Sequence, residues 1–185
     1  VSGKESPGFS RGENVKKALI TGITGFAGSH LADYLLTQDV EVYGLKRWRS
    51  PMDNVRHLEG KVTFIDGDLT DLPSLEALVD DVEPDYVFHL AAQSFVPYSY
   101  DAPITTLQTN VIGTANLLEA LRPVDSDPVI ILCSSSEVYG QVTEADVPIT
   151  EDCPLRPVSP YGVSKVAEDV MGYMYFKAHN LKIIR

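Results

Sequence analysis

The sequence has 185 residues, 44% hydrophobic and 22% charged, enough for one domain with its own core. Its formal net charge of -11 excludes a surface that attracts nucleic acid or anionic membrane, though a local basic cluster can still meet a phosphate. Two cysteines exclude a disulfide framework and a zinc site, which fits a reducing, cytoplasmic setting.

Residues 1–14, "VSGKESPGFSRGEN", are polar and rich in Gly and Ser, and read as a flexible tail ahead of one domain over 15–185. No signal peptide is visible, and no apolar run is long enough to span a bilayer. Lys16–Thr21 reads as a buried strand. Phe26–Leu36 carries apolar residues at helical spacing. Val40–Leu45 and Lys61–Ile65 are the next strands. Asp71 caps a helix that has Pro73 near its start and runs to about Val82. Asp85–Ala92 is a fourth strand, Ile104–Leu121 a long helix and Val129–Ser136 a fifth strand. Cys133 lies in that last apolar run, so a buried thiol is expected, whereas Cys153 lies in a polar stretch. Ser159 and Pro160 cap and open a helix over Tyr161–His179, and Leu181–Arg185 begins a sixth strand. Strands alternating with helices predict an α/β fold, a doubly wound parallel sheet of the Rossmann type.

Gly22, Gly25 and Gly28 stand as G-x-x-G-x-x-G between the first strand and the first helix. In that setting the spacing is a dinucleotide fingerprint: bare backbone approaches a pyrophosphate, and the helix N-terminus offers unpaired N–H groups. An NAD site usually has an acid after the second strand. Here "GLKRWRS" brings Lys46, Arg47 and Arg49, with no acid before Asp53. Cations there suit a 2'-phosphate and put NADP ahead of NAD. Asp68, after the third strand, is placed to accept from an adenine amine.

Tyr161 and Lys165, four residues apart, share a helix face. A cation beside a phenol lowers its pKa and lets it exchange a proton near neutral pH. Ser135, Ser136 and Glu137 end the fifth strand, on the side where doubly wound sheets open their ligand crevice.

Together "TGITGFAGSHLADYLL", "GDLTD", "HLAAQS", "NVIGT", "SSSEVYG" and "SPYGVSK" resemble the extended short-chain dehydrogenase/reductases that act on nucleotide sugars. Within that superfamily the chain is most similar to the GDP-mannose 4,6-dehydratases and the reductases of the resulting 4-keto sugar. The resemblance implies that Gly22, Ile23, Thr24, Gly25, Phe26, Ala27 and Gly28 hold the cofactor pyrophosphate. Arg47 would meet the 2'-phosphate, and Asp68 and Leu69 the adenine. Leu90, Ala91, Ala92, Gln93 and Ser94 would line the nicotinamide side. Tyr161 would be the general base, Lys165 would bind the nicotinamide ribose and tune Tyr161, and Ser135 would orient the sugar 4-oxygen. Glu137 would remove the C5 proton and help expel the 6-hydroxyl, a task that an epimerase does not have.

The resemblance is uneven. The dehydratases usually carry Gln-Asp where this chain has Phe26-Ala27, and "LRPVSPYGVSK" leans towards the reductases. "LKRWRS" and "SSSEVYG" lean towards the dehydratases, which rank first, ahead of a reductase and a 4-epimerase. The family's C-terminal substrate part is absent from these residues, so a cofactor-binding module without turnover is the reading from another class. A GDP-sugar is the implied substrate. A homodimer or homotetramer is implied through Ile104–Leu121 and Tyr161–His179, the latter apolar all round at Met171, Tyr173, Met174, Tyr175 and Phe176.

Overall fold

The computed structural model describes residues 15–185, so the expected tail over 1–14 lies outside the described residues. The strands are β1 (Lys17–Thr21), β2 (Glu41–Lys46), β3 (Thr63–Asp66), β4 (Tyr86–His89), β5 (Val129–Leu132) and β6 (Lys182–Ile184). They form one parallel sheet in the order β3-β2-β1-β4-β5-β6. This is the doubly wound order expected. Its connections reverse direction between β1 and β4, and the ligand crevice of such sheets opens at that point.

The helices are α1 (Phe26–Leu36), α2 (Leu72–Val82), α3 (Val96–Asp101), α4 (Pro103–Leu107), α5 (Gly113–Leu121) and α6 (Pro160–His179). Side chains alternate along β1 and feed two cores. Ala18 and Ile20 pack with Ile23, Ala32, Leu35, Val42 and Leu58 on the α1 face. Leu19 packs with Leu75, Val79, Leu117, Leu121, Ile130 and Tyr175 beneath α2, α5 and α6. Truncating a fully buried side chain such as Leu117 to Ala would remove about 2–5 kcal/mol of stability.

α6 begins as its sequence requires. The Ser159 side chain accepts from the Gly162 N–H at 2.9 Å, and Pro160 occupies the first turn, where no N–H partner is lost. Asn180 ends the helix in the left-handed region, at φ 57°. Asp71 precedes α2 as expected, but its side chain makes no capping bond.

Three expectations change. The helix expected over Ile104–Leu121 divides into α4, a π-helical turn over Gln108–Ile112, and α5. Helix α3 was not foreseen at all. Strands β4 and β5 stop at His89 and Leu132, well short of Ala92 and Ser136. Thr21, His89 and Leu132 share one row, at which the β1–β4 and β4–β5 ladders end together. The freed segments, 90–94 and 133–136, become crevice wall. Cys133 is therefore exposed rather than buried. No helix among the described residues is long and apolar enough to cross a membrane.

Candidate active site

The glycine turn is held by backbone. Gly25 N–H donates to Gly22 O, and Ser29 N–H to Gly25 O, both at 3.0 Å. Gly22 has φ +74°, and a Cβ there would lie 2.8 Å from the Ala91 backbone. A Cβ on Gly28 would lie 2.5 Å from Gly22 O. These two glycines are required by the fold itself. Gly25 differs: its backbone is extended, and a Cβ would meet only Gly22 O, at 3.2 Å. It caps α1 with no side-chain acceptor, and the first turn has no acidic residue, so the helix N-terminus is left for an anion.

A cavity of about 560 Å³ runs along the C-terminal ends of β1, β2, β3 and β4. Gly22, Thr24, Gly25, Arg47, Asp68, Leu69, Leu90, Ala91, Ala92, Gln93 and Ser94 all line it. Tyr98, Thr105 and Thr109, which sequence reasoning missed, complete the wall from the α3–α4 side. The rest of the expected phosphate loop does not line the cavity. Ile23 is fully buried in the core, and Phe26 is exposed with its ring edge-on to His30. Ala27 and Gly28 belong to the opening turn of α1.

The basic stretch after β2 resolves into three roles. Lys46 is paired with Asp66, Arg49 lies over the Trp48 ring, and Arg47 lines the cavity. Asp68 Oδ1 accepts from the Thr70 N–H at 2.9 Å and the Thr70 hydroxyl at 2.7 Å. The Thr70 N–H, more than its hydroxyl or the Arg47 charge, holds this carboxyl below its usual range against the effect of burial.

The second cluster sits beside this cavity, outside its lining. Ser135 caps a short turn over Ser136–Val138, its Oγ accepting from Glu137 N–H at 3.2 Å. The Glu137 backbone rests on the first turn of α6, where a Cβ on Gly162 would come within 2.8 Å of Glu137 O. Ser135 and Glu137 are half-buried, and Tyr161 and Lys165 are buried. Lys165 Nζ donates to Cys133 O at 3.1 Å and so joins α6 to the end of β5. The segment after β5 and the face of α6 are thus brought together as expected. No hydrogen bond joins Lys165 to Tyr161 or Ser135 among the described residues.

Three buried polar groups were missed. Asn110, in the π-helical turn, accepts from Gln93 N–H at 2.7 Å and donates to Gln93 O at 3.1 Å and Ser164 Oγ at 2.8 Å. It fixes the loop after β4 against α6. Nothing in the sequence sets it apart, since Asn116, Gln108 and several threonines share the predicted helix. Glu168 pairs with Lys165 at 2.9 Å, and both are buried. Its i, i+3 spacing from Lys165 was legible. His89, fully buried, bridges Thr21 Oγ1 and Thr114 Oγ1, each at 2.8 Å. Burial drives its pKa down to about 3, with the Lys165 charge adding to the effect, so the ring is neutral.

Comparison with known proteins agrees with this architecture. The profile of the GDP-mannose 4,6 dehydratase family matches residues 19–185. A GDP-mannose 4,6-dehydratase of Vibrio cholerae is 40% identical over 162 residues, covering 82% of this chain and 43% of that protein. The GDP-mannose 4,6 dehydratase of Homo sapiens is 36% identical over 176 residues, 89% of this chain and 47% of its own. Among solved structures, a UDP-glucose 4-epimerase of Thermus thermophilus in complex with NAD superposes with a TM-score of 0.82 at 33% identity, over 90% of this chain and 53% of that one. A dTDP-glucose 4,6-dehydratase of Streptomyces venezuelae, solved with NAD bound, gives 0.81 at 30% identity, over 90% and 53%. The chain spans about half the length of the relatives it matches. With a family match over nearly every described residue, on the sheet order and glycine turn already seen, the chain belongs to the GDP-mannose 4,6-dehydratase family.

Proposed function

We propose that the protein acts as an NADP-dependent GDP-mannose 4,6-dehydratase. The observation that carries this reading is Glu137, an acid whose backbone rests on the turn of α6 that bears Tyr161, in a chain of this family. The cavity fits a dinucleotide: Gly25 leaves bare backbone at an uncapped helix N-terminus, and Arg47 faces the same space. Gly22 and Gly25 would hold the pyrophosphate, Arg47 the 2'-phosphate and Asp68 the adenine amine. Leu90, Ala91, Ala92, Gln93 and Ser94 would line the nicotinamide side.

When bound, the cofactor supplies a hydride acceptor for sugar C4 and a hydride donor for C6. The chain's own residues handle protons and position. Tyr161 takes the proton of the 4-hydroxyl, and Lys165 holds the ribose. Ser135 orients the 4-oxygen. A ketone at C4 acidifies the C5 hydrogen; Glu137 removes it and returns a proton to the departing 6-hydroxyl, which leaves as water. The Arg47 cation on the cavity wall supports NADP ahead of NAD.

The apolar residues Val170, Tyr173, Met174 and Phe176, half-exposed along α6, support a homodimer or homotetramer built on that helix.

The test is incubation of the polypeptide, expressed with any sequence that follows Arg185 in its gene, with NADP+ and GDP-mannose, read by mass spectrometry. A product lighter by one water is expected. No loss of water, with NADPH-dependent reduction of a supplied GDP-4-keto-6-deoxymannose, would move the assignment to the reductase.

A further inference from the structure

Glu168 lies one turn beyond Lys165 on α6, on the face begun by Tyr161, and is 3% exposed. Lys165 Nζ donates to Glu168 Oε2 at 2.9 Å and to Cys133 O at 3.1 Å. An ammonium has three hydrogens in tetrahedral array. With two of them anchored, the direction of the third is fixed.

The carboxylate is itself supported from behind. Ala91 N–H donates to Thr21 Oγ1 at 3.2 Å, so the Thr21 hydroxyl hydrogen is free for His89 Nδ1. His89 is neutral and carries one ring hydrogen, so it donates through one ring nitrogen and accepts through the other between Thr21 Oγ1 and Thr114 Oγ1. Thr114 stands beside Glu168, whose Oε1 is buried and has no hydrogen-bond partner among the described residues. The run of contacts leads from the loop after β4 through Thr21, His89 and Thr114 to the carboxylate beneath Lys165.

A buried ion pair is weak evidence of a stabilising role, because desolvation offsets the attraction. Burial pushes the Glu168 carboxyl up to about 7 even against the pull of Lys165. A group kept at that cost calls for a reason other than stability.

We propose that Glu168 is a positioning residue. It anchors Lys165, and the buried run through Thr114, His89 and Thr21 couples that anchor to the loop lining the nicotinamide side. This rests on the reading of Tyr161 and Lys165 as the reacting pair. The groups facing Glu168 are Lys165 from its own helix and the Thr114 hydroxyl from α5. The Cys133 carbonyl faces Lys165, and neutral His89 from β4 adds no charge.

The experiment measures pH–rate profiles on the polypeptide expressed with any sequence that follows Arg185 in its gene. Glu168→Gln keeps an acceptor for Nζ and removes the charge. We expect kcat to fall roughly 10- to 100-fold and KM for GDP-mannose to move less than about twofold. The alkaline limb should move towards acid, because the buried anion beside the reacting pair is gone. A merely structural glutamate would leave that limb unmoved, and an unmoved limb overturns the proposal. Should Glu168→Gln fail to fold, Glu168→Asp takes its place: lower kcat with the wild-type alkaline limb is expected, and wild-type kcat overturns the proposal. Wild-type turnover by both Tyr161→Phe and Lys165→Met would remove the underlying reading and the proposal with it. Loss of turnover in those two, with Glu168→Gln unchanged from wild type, removes the proposal alone.

Discussion

Asn110 and Ser164 meet inside the molecule, Nδ2 donating to Oγ at 2.8 Å, and this contact ties the π-helical turn to α6 one residue before Lys165. Ser164 Oγ passes its own hydrogen to Tyr161 O at 2.7 Å. The other hydrogen of Nδ2, with Oδ1, closes on the Gln93 backbone. One amide therefore holds the loop after β4 and the helix of Tyr161 in a fixed relation. π-helical turns of this kind recur at functional sites, where they re-aim a side chain. Asn110→Leu would strand the Gln93 N–H in a part-buried site. We expect a loss of about 2–4 kcal/mol, since several bonds go at once, together with weaker NADPH binding. Urea unfolding checks the first, and a midpoint equal to wild type would show that the link carries no load.

How much of this was legible follows from what each residue depends on. The strand–helix alternation, the glycine turn, the cap at Ser159 and the i, i+4 spacing of Tyr161 and Lys165 are local patterns, and the sequence displays them. Cys133 was misread because its burial depends on where β5 stops, and that is set by its ladder with β4, an element remote in sequence. Phe26 looked like part of a phosphate loop, yet its side chain points to solvent. The Thr21–His89–Thr114 run joins three elements whose neighbourhood exists only in the folded sheet.

The glycines separate fold from ligand. Gly28→Ala would force a Cβ to 2.5 Å from Gly22 O and 2.7 Å from Ile23 Cα, both backbone atoms that cannot swing aside. It should destabilise the protein by more than about 2 kcal/mol. Gly25→Ala meets one contact at 3.2 Å in a backbone conformation open to any residue, so its melting temperature should fall by only a few degrees. Its added methyl would stand at the pyrophosphate, and NADPH affinity should drop about tenfold or more. Calorimetry of both variants separates the two effects. If Gly25→Ala binds NADPH as wild type does, the pyrophosphate is not at this turn.

Arg47 should decide between the two cofactors. Lys46 is engaged by Asp66 and Arg49 by Trp48, so Arg47 is the cation of this stretch whose side-chain charge is not so engaged and which lines the cavity. Arg47→Ala should weaken NADPH binding roughly 10- to 30-fold, the value of a charge-assisted contact to phosphate, and leave NADH within about twofold. Raising salt should erode the wild-type preference. Equal loss for both cofactors would place Arg47 elsewhere on the dinucleotide.

Stability against pH carries a signature of two buried groups with opposite shifts. His89 sits at about 3 in the fold against an unfolded value of 6.5, so the unfolded chain takes its proton first. That contribution is whole above pH 6.5 and is lost as pH falls. Glu168 sits at about 7 against 4.5, so the folded chain takes its proton first and gains stability as pH falls from 7 to 4.5. Between pH 4.5 and 6.5 the two slopes, each up to about 1.4 kcal/mol per pH unit, oppose one another. The carboxyls held low, Asp68, Asp85, Glu119 and Asp146, lose their contributions mainly below this window. Wild type should therefore show a nearly flat plateau there. Glu168→Gln removes one slope and leaves the other, so its unfolding free energy should fall by roughly 1 kcal/mol per unit from pH 6.5 to 4.5. Urea titrations at half-unit steps resolve that difference. A plateau that persists in Glu168→Gln would mean that His89 adds no slope either, so that neither buried group binds protons differently in the folded and unfolded chains across this range.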